Sequence, residues 1–216
     1  MVGALQRFDA TDFRTRAARH RPEDEVTGPG PTYLAHGDHA LNADMVLGID
    51  QATLRDAAVL IPVIDEGEDA RVILTQRTAT LRKHSGQIAF PGGAVDPGDG
   101  SVDFAAKREA QEEIGLDPGL VEVVGHLPDY LTMTGFRITP VLAVVKPGFD
   151  LVPNPAEVDA IFEVPLGFLM DPANHRQESR VWEGRERHYF VMPYGERYIW
   201  GVTAGIIRVL YERLYS

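Results

Sequence analysis

The chain has no cysteine among its 216 residues. Disulfides, thiolate nucleophiles and cysteine-held metals are excluded with it, and a reducing cytoplasm is the expected setting. Cationic residues are also scarce: 21 lysines and arginines stand against 32 aspartates and glutamates, a formal net charge of −11. Non-specific nucleic-acid binding needs a positive surface, so no nucleic-acid partner is expected. An anionic small molecule remains a reasonable ligand, because bound divalent metals reverse the local field. No apolar run reaches the roughly 20 residues that span a bilayer, and Met1–Phe13 lacks the apolar stretch of a secretory signal. Neither membrane insertion nor export is expected. What is present, 44% hydrophobic and 25% charged residues, is the balance of an ordinary globular chain able to bury a core. Composition leaves the oligomeric state open.

The periodicity predicts a short helix over Asp9–Arg21, with Phe13 and Ala17 at i,i+4 spacing and the arginines Arg14, Arg16, Arg19 and Arg21 as a solvated face. Pro22–Asn42 is rich in Gly, Pro, Asp and His and has no sustained period, the pattern of an irregular arm. His36 and His39 are expected at its surface. Residues 1–50 are thus an N-terminal helix and arm, and residues 51–216 the main domain. Ala57–Ile64 (AAVLIPVI) has the profile of a buried strand, and Arg71–Arg77 reads as its hairpin partner across a DEGEDA turn. A helix follows Asp103, its expected N-cap, and stops near Gly115. Further strands are predicted at Val121–His126, Arg137–Val145 and Asp159–Val164, a late hairpin at Arg180–Gly184 with Arg187–Pro193, and a closing helix from Thr203 carrying Ile206, Ile207, Leu210 and Leu214. Strands interleaved with a few helices imply an α/β fold, a mixed sheet between helices.

The most informative stretch is Pro91–Gly115, PGGAVDPGDGSVDFAAKREAQEEIG. At about 100° per residue, Glu109, Glu112 and Glu113 fall within roughly a 100° arc of one helix. Ala106, Ala110 and Ile114 occupy the adjoining arc, which would pack on the sheet. Crowded carboxylates repel by a few tenths of a kcal/mol per exposed i,i+4 pair. A hard divalent cation relieves that repulsion, since Mg²⁺ prefers carboxylate, water and phosphate oxygens. Glu-rich helices are also common as solvated surfaces; the Pro-Gly-Gly approach and the long Gly-containing loop separate this one from them. Gly92 and Gly93 permit a tight backbone whose carbonyl could reach a metal, and Arg108 could brace a carboxylate from the side.

This stretch resembles the Nudix box, G-x5-E-x7-R-E-U-x-E-E-x-G-U, with U a bulky aliphatic residue. Gly93, Arg108, Glu109, Glu112, Glu113, Gly115 and Leu116 match it. Asp99 replaces the first Glu with one extra residue before Arg108, and Ala110 is small for its slot. These departures leave Asp99 without an assigned role. Upstream, Leu74–Gly93 (LTQRTATLRKHSGQIAFPGG) resembles a signature of the coenzyme A pyrophosphatase branch through Arg77, Leu81, His84, Gly86, Gln87 and Phe90. That branch tends to carry an Asp and one extra residue in its box, and the ending Trp200–Leu210 looks like it as well. The resemblance covers the chain from Asp56 onward.

The resemblance implies a Nudix-type α/β/α sandwich around a mixed β-sheet. It also implies metal-dependent attack of water on the diphosphate of coenzyme A or a derivative, giving 3′,5′-ADP and 4′-phosphopantetheine. Glu109, Glu113, Glu112 and the Gly93 carbonyl would hold Mg²⁺ or Mn²⁺. Glu112, Glu113 and Arg108 would be the catalytic set, with Glu112 the in-motif general base, although Nudix enzymes also recruit a base from elsewhere. Arg77, Arg82, Lys83, His84 and Gln87 would bind substrate. The basic cluster Arg77, Arg82, Lys83 and His84 suits a phosphate, while Arg77 and Arg82 are equally eligible as ion-pair partners of the acidic helix. Competing readings are a Nudix pyrophosphatase for ADP-ribose or another nucleotide, and a silent nucleotide-binding module.

Overall fold

The computed structural model describes residues 7–20, 36–42, 53–79, 86–182 and 184–216. The expectations for Arg21, for 22–35, and for Leu81, Arg82, Lys83 and His84 lie outside the described residues.

Strand β1 (Arg55–Ile64) and β2 (Arg71–Arg77) form the expected hairpin, with Val63 opposite Val72 and Ile64 opposite Arg71. Beyond those pairs the two strands diverge. The gap is filled by two short strands, β3 (Ile88–Ala89) on β2 and β4 (Gly92–Ala94) on β1. On its other side β1 runs parallel to β7 (Phe136–Val145) from Arg55–Phe136 to Ile64–Val145. Strands β5 (Val121–His126) and β6 (Tyr130–Leu131) pair antiparallel with β7, and β8 (Val158–Pro165) pairs antiparallel with β2 as the edge. One parallel ladder among antiparallel ones makes this a mixed sheet, and the mixed α/β class is as expected.

Both faces are covered. Helix α2 (Val102–Ile114) lays Ala105, Ala106, Ala110 and Ile114 against Ala58, Leu60, Ile73, Val141 and Ala143. The opposite face receives α1 (Ala10–Arg19) and α4 (Val202–Leu214), through Phe13, Ala17, Ile206, Ile207 and Leu210, packed on Ile61, Val63, Leu74 and Leu142. Phe13 is wholly buried, a burial that contributes about 2–3 kcal/mol. A short helix α3 (Leu166–Leu169) follows β8.

Several local expectations change. The N-cap of α2 is Ser101, whose hydroxyl accepts the Phe104 N–H at 3.1 Å, and Asp103 sits inside the first turn bonded to His126. A hydroxyl two residues earlier captures the orphan amide, so the helix starts there. Arg14 and Arg16 are not a solvated face. Arg14 bridges Asp65 at 3.0 Å and Glu122 at 2.9 Å. Arg16 donates to the Leu214 carbonyl at 2.7 Å and lies over the Tyr215 ring. Both tie α1 to the body of the domain, contacts far apart in sequence that periodicity cannot reveal. His36 and His39 are buried, because the 3₁₀ turn Asp38–Leu41 tucks under β6 and β10 (Arg185–Tyr194). Asp38 anchors this turn by accepting from the Tyr130 hydroxyl and the Met133 N–H, both at 3.0 Å. The late hairpin, β9 (Arg176–Trp182) with β10, gains a third strand β11 (Arg197–Trp200), forming a separate three-stranded sheet. No helix among the described residues is long and apolar enough to cross a membrane.

Candidate active site

The divergence of β1 from β2 makes room for the glycine approach to α2. Strand β4 sets Gly92 opposite Val59 and Gly93 opposite Ala58. A side chain at Gly92 (φ +153°) would begin 2.4 Å from the Ala58 carbonyl oxygen, so only glycine fits against that backbone. A side chain at Gly93 would begin 2.6 Å from the Glu109 carboxylate. The two glycines thus let strand and helix approach closely enough to bury carboxylates between them.

Glu113 is the most enclosed of these, its side chain 3% exposed. It accepts the Gly92 N–H at 3.1 Å and faces Arg77 Nη1 at 3.5 Å. Burial pushes its carboxyl up to about 7, against the pull of the Gly92 amide and Arg77 and with the push of Glu157 and Glu109. Glu109 is likewise raised, first by burial, although Arg108 beside it opposes the shift. Glu112 lies outermost, its side chain 57% exposed.

Arg108 organises the outer side. It grips Asp99 through Nε (2.8 Å) and Nη2 (3.0 Å), and its Nη1 donates to Glu109 at 2.8 Å and Glu112 at 3.2 Å. Nη2 also reaches the Ala94 carbonyl. Hydrogen bonding to Asp99 is the main reason the guanidinium is held still more firmly protonated, and the same bond pulls Asp99 below the usual carboxylate range. Asp99, left without a role by the sequence, is therefore the residue that fixes Arg108 and, through it, Glu109.

The structure brings Arg77, Gly93, Arg108, Glu109, Glu112 and Glu113 together. Gln87 enters through its main chain, its carbonyl accepting the Arg77 N–H at 2.9 Å. Sequence reasoning missed Glu157, whose charge acts on both Glu109 and Glu113. The preceding loop delivers it: Val152 N–H bonds to the Ile114 carbonyl and Asn154 N–H to that of Glu113, stitching the loop to the end of α2. An isolated acid at the mouth of a strand carries no motif, so only its position shortly before the Asp159–Val164 strand offered a signal. The open groove of about 760 Å³ lined by Arg71, Ile161, Phe162, Glu163, Pro165 and Tyr194 is elsewhere. It flanks the Arg71 end of β2, roughly 20 Å from Arg77 at about 3.3 Å per residue.

Among the described residues no three acidic or histidine side chains converge into a preassembled metal site. The donors nonetheless suit a hard divalent cation. Glu109 and Glu113 are desolvated, repel each other and Glu157, and offer only oxygen.

The NUDIX domain family matches residues 54–183. The chain belongs to the Nudix family. Among its relatives, the uncharacterised Nudix hydrolase NudL of Klebsiella pneumoniae (strain 342) is 41% identical over 191 residues, covering 80% of this chain and 95% of that one. The NudL of Cronobacter sakazakii (strain ATCC BAA-894) is 45% identical over 164 residues, 72% of this chain and 81% of its own. Among solved structures, the M. smegmatis Nudix hydrolase RenU aligns at 27% identity and a TM-score of 0.45, over 55% of this chain and 72% of that one. The NUDIX domain of Shewanella oneidensis NrtR aligns at 16% identity and a TM-score of 0.48, over 80% and 98%. This Nudix chain is a hydrolase. Nudix hydrolases act on small molecules and generally use divalent metal ions such as Mg²⁺ or Mn²⁺.

Proposed function

We propose that this Nudix hydrolase cleaves the diphosphate of coenzyme A or a derivative, releasing 3′,5′-ADP and 4′-phosphopantetheine. The observation that carries the reading is the meeting of Arg77 with Glu113. The motif resembling the coenzyme A pyrophosphatase branch runs along β2 and ends at the buried carboxylate of the Nudix helix, so both motifs serve one site.

In this reading Glu109 and Glu113, with Glu112 at the rim, would hold Mg²⁺ or Mn²⁺; the Gly93 carbonyl faces Ala58 across the β4–β1 ladder, because the neighbouring Gly92 N–H turns away from β1 to Glu113. When bound, the metal polarises the phosphoryl oxygens, lowers the pKa of attacking water and stabilises the leaving oxygen. Arg77 neutralises substrate charge from the β2 side and limits repulsion on Glu113 before substrate arrives. Arg108, pinned by Asp99, keeps Glu109 oriented and tethers Glu112. Either Glu112 or Glu157 takes the proton of the attacking water. Glu112 is solvent-facing, and Glu157 approaches from outside the helix. Arg82, Lys83 and His84, in the same motif, complete the phosphate-binding set with Gln87.

The test is purified protein with Mg²⁺ or Mn²⁺ on coenzyme A, ADP-ribose and dATP, beside Glu113→Gln. Formation of 3′,5′-ADP from coenzyme A, absent in the variant, supports the reading. Turnover of ADP-ribose or dATP alone keeps the Nudix site and overturns the substrate.

A further inference from the structure

Strand β9 has one neighbour, β10, among the described residues, and all seven of its residues are exposed. Val181 (69% exposed) and Trp182 (50%) stand on it as exposed large apolar side chains. An edge so long and uncovered invites pairing with another strand.

The direction of its main-chain groups follows from a contact on the far side of β10. Asn42 Oδ1 accepts the His188 N–H at 2.9 Å, and Asn42 Nδ2 donates to the His188 carbonyl, also at 2.9 Å. Both main-chain groups of His188 therefore point away from β9. His188 is opposite Ser179, so theirs is a non-hydrogen-bonded pair and the Ser179 N–H and C=O point outward from the sheet edge. By alternation those of Gln177 and Val181 do too. Arg176, Glu178, Arg180 and Trp182 share one face of the strand.

We propose that β9 is a self-complementary edge that pairs antiparallel with β9 of a second copy of this chain, about a two-fold axis at Ser179. The register places Gln177 against Val181 and Ser179 against Ser179, joined by about six main-chain hydrogen bonds. On the shared face Glu178 meets Arg180 of the second copy, twice by symmetry, and Arg176 meets Trp182, also twice. Opposite charges and cation–aromatic contacts favour this alignment. Moving the axis one residue either way faces Glu178 with Glu178 and Arg176 with Arg180, or Arg180 with Arg180. The charge pattern thus selects one full-length register. Within one copy Arg180 is opposite Arg187, a like-charge pair that an incoming Glu178 relieves. The two three-stranded sheets become one of six strands, closed by the symmetric interface usual for homodimers.

Sedimentation equilibrium of the full chain over a micromolar concentration series tests this. The expected result is twice the chain mass for the wild type. Arg180→Glu, which faces Glu178 with an acid, and Ser179→Pro, which removes an outward N–H without touching the β10 ladder, should give the single mass with unchanged circular dichroism. The exchange Glu178→Arg with Arg180→Glu should restore the dimer. Hydrogen exchange on the unaltered protein gives a second readout: the amides of Gln177, Ser179 and Val181 should gain protection with concentration. A wild type monomeric throughout, a dimer persisting in both single variants, an exchange that fails to restore it, or unprotected amides would each overturn the proposal.

Discussion

Arg108 and Asp99 meet in a two-pronged contact, Nε to Oδ1 at 2.8 Å and Nη2 to Oδ2 at 3.0 Å, and the remaining nitrogen of the same guanidinium holds Glu109. The loop between β4 and α2 is thereby locked to the helix by one cation, and the position of the half-buried Glu109 carboxylate depends on an aspartate that never touches it. Asp99→Asn keeps the shape and weakens the grip. It should lower metal affinity or turnover by about 10–100-fold, as loss of a partner behind a metal ligand does. Titrating activity against Mg²⁺ reads this, and an unchanged titration would mean that Glu109 is held by other contacts.

The two glycines of β4 should answer alanine differently. At Gly92 the new carbon meets the Ala58 and Val59 backbone, which cannot yield, so Gly92→Ala should cost about 1–3 kcal/mol in urea unfolding. At Gly93 the atoms nearest to it are those of the Glu109 carboxylate, the far end of a flexible side chain. Gly93→Ala should fold with near-normal stability yet bind metal weakly, because the carboxylate has to move. Equal stability losses in both variants would refute this division.

Removing divalent metal with a chelator should abolish hydrolysis, and Mg²⁺ or Mn²⁺ should restore it. Added metal should also raise the melting temperature, by an amount equivalent to about 2.7 kcal/mol at a hundred times its dissociation constant. Glu113→Gln should be inactive and insensitive to metal, yet more stable than the metal-free wild type near pH 8, since burial disfavours the charged carboxyl it replaces. Calorimetry showing the variant less stable would mean that Glu113 is well compensated without metal.

Glu157→Gln separates a proton acceptor from a bystander. A general base lost should cost about 10²–10⁴-fold in kcat. A change of only a few-fold would leave Glu112 as the base.

His36 supplies a pH dependence away from the site. It accepts a hydrogen bond from Arg213 at 2.6 Å, which requires a neutral ring nitrogen. Burial, then Arg213, depress it from 6.5 to about 4. Because the folded value is the lower one, its contribution is complete above pH 6.5 and lost progressively as pH falls towards 4, at most about 3 kcal/mol. His36→Gln keeps an acceptor for Arg213 and should flatten that acid limb in pH-dependent urea unfolding. An unchanged slope would refute the assignment.

The strands that carry the sheet were legible because branched apolar runs such as Ala57–Ile64 and Arg137–Val145 repeat the same signature, and α2 because its small residues recur on one arc. The site was legible where spacing along one helix suffices, as for Glu109, Glu112 and Glu113. It was not where partners meet across the chain. Asp99 with Arg108, Arg77 with Glu113, and the charge of Glu157 on Glu109 and Glu113 depend on how β4, β2 and the 152–154 loop close on α2. His36 and His39 were misplaced for the same reason: an irregular segment has no period to say which side is buried, and a 3₁₀ turn anchored by Asp38 decided it.

The sequence alone determined the chemistry available, an oxygen-rich carboxylate face behind a glycine approach, because local spacing fixes which side chains share a helix arc. Only the tertiary structure decided which of those carboxylates lose their water, which arginine each one meets, and which strand edge stays open. Desolvation and long-range pairing are properties of packed neighbours, and no window along the chain contains them.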